Sequence, residues 1–291
     1  MAISGGPDSL ALLLLAHAGF PNHIAAATVD HGLRREASDE AQYVGEICRD
    51  LGVPHAILSP PSPITGNLQS QARKARYALL EDWRARENLG WIATAHHADD
   101  QLETVLMRLL RGSGIDGLSA IRPINERIVR PLLAIRKAEL SAFVVARGIE
   151  AIDDPSNADP RFDRVRLRET IGDLADFDAG RLMRSTNALR EASDALGWIV
   201  RREAETVVAT EGDAIVLGSI GYPPEIMRRL VMLCLRRVDD GIEPRGPALD
   251  ALLVSLGNGE SATLGGVQCV PEPAAGKPAW RFSPAPPRNT G

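Results

Sequence analysis

Four short apolar runs, Met1–Ser4, Ile24–Asp30, His55–Leu58 and Trp91–Ala95, punctuate the first hundred residues. Helix-patterned stretches separate them: Leu10 to Ala18, Glu36 to Leu51 closed by Gly52, and Leu68 to Glu87 closed near Gly90. Alternation at this spacing predicts βαβ units, hence a parallel sheet with its strands buried on both faces and helices on either side. Crossovers should be right-handed. Ligands of such sheets sit beyond the carboxyl ends of the strands, so the residues just after each run are where chemistry is expected.

The texture changes after Gly148. Asp153-Asp154-Pro155-Ser156-Asn157 reads as a turn-rich loop, and Arg161 to Arg190 as mainly helical. Thr206–Thr210 with Ala214–Leu217, and Ala262–Leu264 with Val267–Val270, read as hairpins, and Pro223 to Val238 as a helix. The expected class is therefore α/β: a parallel Rossmann-like sheet flanked by helices over residues 1–168, a helical linker over 169–203 and a small α+β domain over 204–283. From Ser283 onward the proline-rich tail, 284–291 outside that domain, is expected to be disordered. The length of 291 residues fits two domains of ordinary size.

Composition narrows the class further. Apolar residues make up 44% and charged residues 24%, ordinary for a globular chain. The longest apolar run, Leu10 to Ala16, is too short for a bilayer, which needs about 20 residues, so no membrane partner is expected. No secretory signal opens the sequence. Cys48, Cys234 and Cys269 are far apart and form no CxxC, which points to a reducing cytoplasm. The net charge is −5, yet Thr104 to Arg147 holds eight basic residues and three acidic ones, a local excess of +5.

Ser4-Gly5-Gly6-Pro7-Asp8-Ser9 joins the first strand to a helix. Two glycines let backbone approach a ligand, and the helix start presents unpaired N–H groups, together a cradle for phosphates. The alternative is a tight turn capped by Ser9. The Walker pattern is missing, since no lysine follows the glycines. A second glycine pattern, Gly112-Ser113-Gly114-Ile115-Asp116-Gly117, fits GxGxxG but follows a helix, and reads as a helix-terminating turn. Thr94 to Thr104 crosses from a strand end into a helix and carries His96, His97, Asp99, Asp100 and Glu103. His96 and Asp100 share one helix face. Oxygen ligands there suit Mg²⁺ held jointly with ATP phosphates; the alternative is acidic capping of a helix start.

Ser-Gly-Gly-x-Asp-Ser resembles the loop of the N-type ATP pyrophosphatases, the PP-loop family, which split ATP between the α- and β-phosphates. The segment His96 to Leu118 is similar to the signature of the tRNA(Ile)-lysidine synthetase family. Asp30-His31-Gly32-Leu33-Arg34, Ala72-Arg73 with Arg76-Tyr77, Arg130-Pro131-Leu132-Leu133, and Asp154-Pro155-Ser156-Asn157 with Phe162 and Arg164 extend the likeness. Val165 departs from it, standing where asparagine is expected. The loop begins so near Met1 that the resemblance predicts residues upstream.

The resemblance implies ATP-dependent ligation of free L-lysine to carbon 2 of the wobble cytidine in tRNA(Ile) with a CAU anticodon, through an adenylated tRNA. It implies ATP binding by Ser4, Gly5, Gly6, Pro7, Asp8 and Ser9, with hydroxyl donors from both serines. Mg²⁺ is expected on Asp8 and Asp100, and catalysis at His96, Asp100 and Asp30. Contacts to tRNA are expected from Arg73, Arg76, Arg108 and Arg111, and to lysine from Asp153, Asp154 and Arg161. A homodimer is left open. The rival readings are a sulfur-transferring tRNA enzyme, a GMP or NAD synthetase relative, and a non-catalytic nucleotide-binding module.

Overall fold

A computed structural model describes residues 1–32, 36–62, 68–153, 167, 177–244, 246–272 and 278–286. The chain divides into two compact units, residues 1–189 and 190–291. The division falls inside a single long helix, Ala179–Val207, rather than at a break in secondary structure.

In the first unit, β1 (Ala26–Val29) and β2 (His55–Leu58) pair in parallel, Ala26 opposite His55 and Val29 opposite Leu58. Residues 1–3 lie extended along the other side of β1: Ile3 N–H donates to the Ala27 carbonyl at 2.9 Å and Ala27 N–H to the Met1 carbonyl at 2.8 Å. Ala2 N–H reaches across to the Ala93 carbonyl in β3 (Ile92–Ala93) at 2.9 Å. β3 pairs in parallel with β5 (Ile128–Val129), which pairs antiparallel with β4 (Ile124–Asn125). The lateral order is β2, β1, residues 1–3, β3, β5, β4. The first apolar run is therefore central, and the phosphate-type loop leaves the middle of the sheet. The β4–β5 hairpin, turning at Glu126 with φ 53°, is an addition to the sequence reading.

One expectation fails here. β2 is not buried on both faces; it lies at the edge of this sheet, and Ile57 stays 46% exposed.

Helix α1 (Pro7–Gly19) starts where Pro7 fixes φ at a position that needs no N–H. Its leucines 10, 12, 13 and 14 are all buried, since it sits inside a core completed by Val44 and Cys48 of α2 (Glu36–Asp50) and by Leu140 and Val144 of α6 (Lys137–Val145). Burying each such leucine contributes about 1.5–3 kcal/mol relative to exposure. This packing fixes the loop's downstream anchor. On the β1/β3 side, Leu80 and Trp83 of α3 (Leu68–Arg86) cover Ala27 and Ile92. Helix α4 (Ala98–Leu110) ends at Gly112, whose φ of 68° makes the glycine turn before α5 (Ile115–Leu118).

In the second unit, α7 (Ala179–Val207) leads into a five-stranded antiparallel sheet. The strands are β6 (Val208–Glu211), β7 (Ala214–Leu217), β8 (Ala262–Leu264), β9 (Val267–Pro271) and β10 (Trp280–Pro284), in the order β6-β7-β10-β9-β8. Helix α8 (Pro224–Val238) buries Ile226, Met227, Leu230, Val231, Cys234 and Leu235, a repeat of three and four residues that forms one apolar stripe. α9 (Gly246–Gly257) adds Leu249, Leu252 and Leu256 to the same core. Both expected hairpins are present. The expectation of disorder from Ser283 is corrected: Ser283 pairs with Gln268 and Pro284 with Val267, as the end of a strand inserted between the two hairpins. Arg281 on that strand pairs with Glu211 and Glu272 on either side.

Candidate active site

The loop from Ser4 to Ser9 is held in one shape by contacts only glycine allows. Gly5 has φ 85°, and a Cβ there would stand 2.3 Å from Ile152 Cδ1. Ile152 N–H donates to the Gly5 carbonyl at 2.9 Å, so the segment before Asp153 clamps the loop from outside. Ser9 Oγ donates to the Gly6 carbonyl at 2.9 Å and accepts from Ser4 N–H at 3.1 Å and Ser4 Oγ at 3.3 Å. Ser9 is 5% exposed. Both hydroxyls expected as donors are thus engaged within the loop, Ser4 on Ser9 and Ser9 on the Gly6 carbonyl, because a tight strand-to-helix turn leaves a carbonyl that needs a donor. The first-turn amides of α1 have no intrahelical acceptor, as at any helix start.

Beside the loop lies an acidic pocket around His97. This residue is 4% exposed and caps α4: its Nδ1 accepts from Asp100 N–H at 3.4 Å, and Asp100 Oδ2 accepts from His97 N–H at 3.1 Å. Its Nε2 stands 3.4 Å from Asp8 Oδ2 and 3.6 Å from Asp100 Oδ2. Burial alone would lower the imidazole's pKa, but the hydrogen bond to Asp8 and the charges of Asp100, Asp8 and Asp99 outweigh it and raise it. Asp8 Oδ1 is buried without a hydrogen-bond partner. Asp99 is committed elsewhere: it accepts from Lys137 N–H at 2.7 Å and pairs with Arg136 at 3.3 Å, which hold its carboxyl below the usual range against the opposing effect of burial. Arg136 in turn donates to the Phe177 carbonyl at 3.0 Å and stacks on the Phe177 ring. Asp99 thus fastens α4 to α6 while its Oδ2 stays 3.6 Å from His97 Nδ1, and Asp8 and Asp100 both approach His97 Nε2. Among the described residues, no group of three or more His, Cys, Asp or Glu side chains has metal-holding geometry by itself.

The adjoining side is basic. His96 Nδ1 lies 2.9 Å from Thr94 Oγ1. Burial, reinforced by Arg130, Arg73 and Arg76 and opposed by Asp100, brings the His96 pKa down to about 4. The guanidinium groups of Arg73 and Arg76 lie 5.1 and 5.4 Å from the Tyr77 ring centre. Burial pushes the phenol's pKa up, but those charges, a hydrogen bond with Arg76 and the charge of Arg130 outweigh it and lower it. Burial lowers the His31 pKa, Arg76 adds to that, and Asp30 opposes it. Asp30 Oδ1 accepts from Gly32 N–H at 2.8 Å, closing an Asx turn at the end of β1.

Sequence comparison bears on the whole chain. A family model for the PP-loop domain matches residues 1–175. The tRNA(Ile)-lysidine synthase of Zymomonas mobilis is 39% identical over 299 residues, covering 99% of this chain and 89% of its own length. That of Novosphingobium aromaticivorans is 41% identical over 298 residues, covering 98% and 88%. This chain belongs to the tRNA(Ile)-lysidine synthase family of PP-loop proteins. Among solved structures, the U34-tRNA thiolase NcsA from Methanococcus maripaludis, described with a [4Fe-4S] cluster, aligns with a TM-score of 0.54 at 18% identity, over 66% of this chain and 71% of that one. At that identity the likeness shows the shared PP-loop fold alone. Of the present chain's cysteines, Cys48 lies in the first unit's core and Cys234 and Cys269 lie together in the second's. Burial pushes their thiols up to about 11, 12 and 12, so all three are buried thiols of low reactivity.

Against the pattern expected of a lysidine synthase, the structure gathers some residues and separates others. Asp8 and Asp100 meet at His97, and His96 lies within the electrostatic reach of Arg73 and Arg76. Arg108 and Arg111 do not join them: both are exposed at the far end of α4, about 12–17 Å along the helix from Asp100 at 1.5 Å per residue. Asp153 is exposed one residue beyond the Ile152 clamp; Asp154 and Arg161 lie outside the described residues. His97 was missed by sequence reasoning, which had placed the catalytic histidine at His96. The reciprocal capping pair His97-x-x-Asp100 is the signal, obscured because histidine is not a usual capping residue. Tyr77 entered the sequence reading only through the family likeness, and Arg130 only through that likeness and the basic stretch 104–147. A cavity of about 430 Å³ lined by Gln42, Gly45, Glu46, Arg49, Val53 and His55 opens at the first residue of β2, the end of the sheet away from the loop.

Proposed function

We propose that this chain ligates lysine to carbon 2 of the wobble cytidine of tRNA(Ile) bearing a CAU anticodon. ATP is consumed to AMP and pyrophosphate through an adenylated tRNA. The observation that carries the reading is the pair Asp8 and Asp100 converging on Nε2 of buried His97, where the glycine loop meets the start of α4.

In the first step the cytidine O2 attacks the α-phosphorus and the bond to the β-phosphate oxygen breaks, releasing pyrophosphate. Loop amides of Gly5, Gly6, Asp8 and Ser9 hold the departing group; fixed dipoles of this kind supply a large share of catalysis. Asp8 and Asp100 would hold Mg²⁺. The buried, unpartnered Asp8 Oδ1 fits that role, and Mg²⁺ commonly binds through one or two carboxylates plus substrate phosphates. When bound, the ion offsets negative charge on the phosphate oxygens. His97 keeps the two carboxylates in register. His96, neutral and oriented by Thr94, offers a hydrogen bond to the α-phosphate without adding charge. Asp30, anchored in its turn, faces the nucleotide side.

In the second step the lysine ε-amine attacks carbon 2, the bond from carbon 2 to the bridging oxygen breaks, and AMP leaves. Asp153 and Asp154 are proposed for the α-ammonium of lysine and Arg161 for its carboxylate. Arg73 and Arg76 take tRNA phosphates beside the reacting base, whereas Arg108 and Arg111 meet a more distant part of the backbone. Residues 1–168 would carry the ATP chemistry, 169–203 would link, and 204–283 would serve RNA placement. A substrate of this kind puts the protein in the cytoplasm.

The test is incorporation of labelled lysine into isoleucine tRNA with CAU, beside methionine tRNA with the same anticodon. Incorporation into the first alone, matched by pyrophosphate release, is expected. Pyrophosphate release with lysine in neither RNA overturns the reading.

A further inference from the structure

We infer that Arg130 is an RNA contact: with Arg76 it takes a backbone phosphate of the tRNA next to the nucleotide being adenylated. Arg130 follows β5 and is pinned at both ends, its N–H donating to the Pro123 carbonyl at 2.8 Å and its Nη1 to the Arg122 carbonyl at 2.7 Å. Its Nε is buried and has no hydrogen-bond partner. The same holds for Arg76 Nε and His31 Nδ1. Among the described residues, Arg73, Arg76 and Arg130 have no carboxylate partner. Stacking on Tyr77 satisfies the guanidinium faces of Arg73 and Arg76 in part. It does not satisfy the buried N–H groups, whose desolvation is costly without an acceptor. Several like charges and unmet donors drawn together make a site for an anion.

Which anion follows from in-line displacement, and here the inference rests on the proposed function. The leaving pyrophosphate lies on the loop. Asp8 of the loop converges with Asp100 on His97, whereas Arg73 and Arg76 gather on Tyr77 of α3, and no carboxylate of the loop pairs with them. An attacking oxygen must arrive opposite the leaving one, so the arginine side is the side from which RNA enters. A phosphodiester is the anion the nucleophile brings with it.

The experiment compares the intact enzyme with Arg130→Gln by fluorescence anisotropy on CAU isoleucine tRNA across a salt series, with KM values for all three substrates. Expected are a roughly tenfold weaker tRNA affinity near 0.1 M salt and a slope of log affinity on log salt reduced by about one. The KM for ATP and for lysine should stay within about twofold of the wild-type values. Unchanged tRNA affinity and slope overturn the inference, as does a rise in the KM for ATP or lysine in place of that for tRNA. Should losing the Arg122 contact unfold that variant, Arg130→Lys carries the test: it retains the charge but not the planar fork. It should keep the salt slope while affinity falls severalfold, and unchanged affinity contradicts the assignment. Wild-type enzyme that binds tRNA but forms no lysidine defeats the proposed function; the salt slope of the variant is read independently of turnover.

Discussion

His96 and His97 are neighbours in sequence, equally built from a buried imidazole, and they sit in opposite electrostatic worlds. His97 turns toward Asp8, Asp99 and Asp100, and its pKa rises against the effect of burial. His96 turns toward Arg73, Arg76 and Arg130, and burial plus those charges bring it down to about 4. The difference teaches how one strand end can serve a two-sided reaction. The acidic side suits a cation and the phosphates it accompanies; the basic side suits a polyanion arriving from the other direction. A one-residue step at the end of β3, where backbone alternation reverses side-chain direction, separates the two.

The strongest way to break the comparison is to neutralise the acidic side. Asp100→Asn should lower the lysidine-forming rate by about 10²–10³-fold while tRNA affinity stays within about twofold, as read by single-turnover kinetics beside anisotropy. Neutralising the basic side should do the reverse: Arg76→Gln is expected to weaken tRNA binding about tenfold, with the rate at saturating tRNA nearly unchanged. The two histidines should leave opposite marks on the pH dependence of unfolding without ligands. With the folded pKa of His96 depressed, the unfolded chain takes up its proton first, so stability falls as pH drops from 6.5 toward about 4. With that of His97 raised, its contribution is complete below 6.5 and is lost as pH rises through the folded value. Urea midpoints of His96→Gln should lack the acid-side decline, and those of His97→Gln the loss above 6.5. The smallest effect is expected for Arg108→Gln, about two- to threefold in tRNA affinity with no change in rate, because it lies along α4 away from both sides.

Much of this was legible in the chain before folding was considered. The strand and helix alternation fixes a parallel sheet, and β2 and both C-terminal hairpins fall where the apolar runs and their Gly turns lie. Elements decided by distant partners were not. β10 is five residues ending in proline; Trp280 and Phe282 alternate with Arg281 and Ser283 as in a half-buried strand, but the pattern is short, and the strand forms where β7 and β9 each leave an edge to pair with. In the site, Ser4 to Ser9 and Asp100 stand out by motif. The spending of Ser9 on Gly6, and of Asp99 on Lys137 and Arg136, depends on the geometry of a turn and on a helix 37 or 38 residues away. Arg130 looked like one more basic residue in an arginine-rich stretch until its position beside Tyr77 and His96 was visible.

The most direct test of a site with phosphate on one side and RNA on the other is to run it without lysine. Enzyme, CAU isoleucine tRNA and ATP labelled at the α-phosphate should yield labelled tRNA, which added lysine discharges as AMP. Label that appears as AMP without ever residing on the RNA would contradict it.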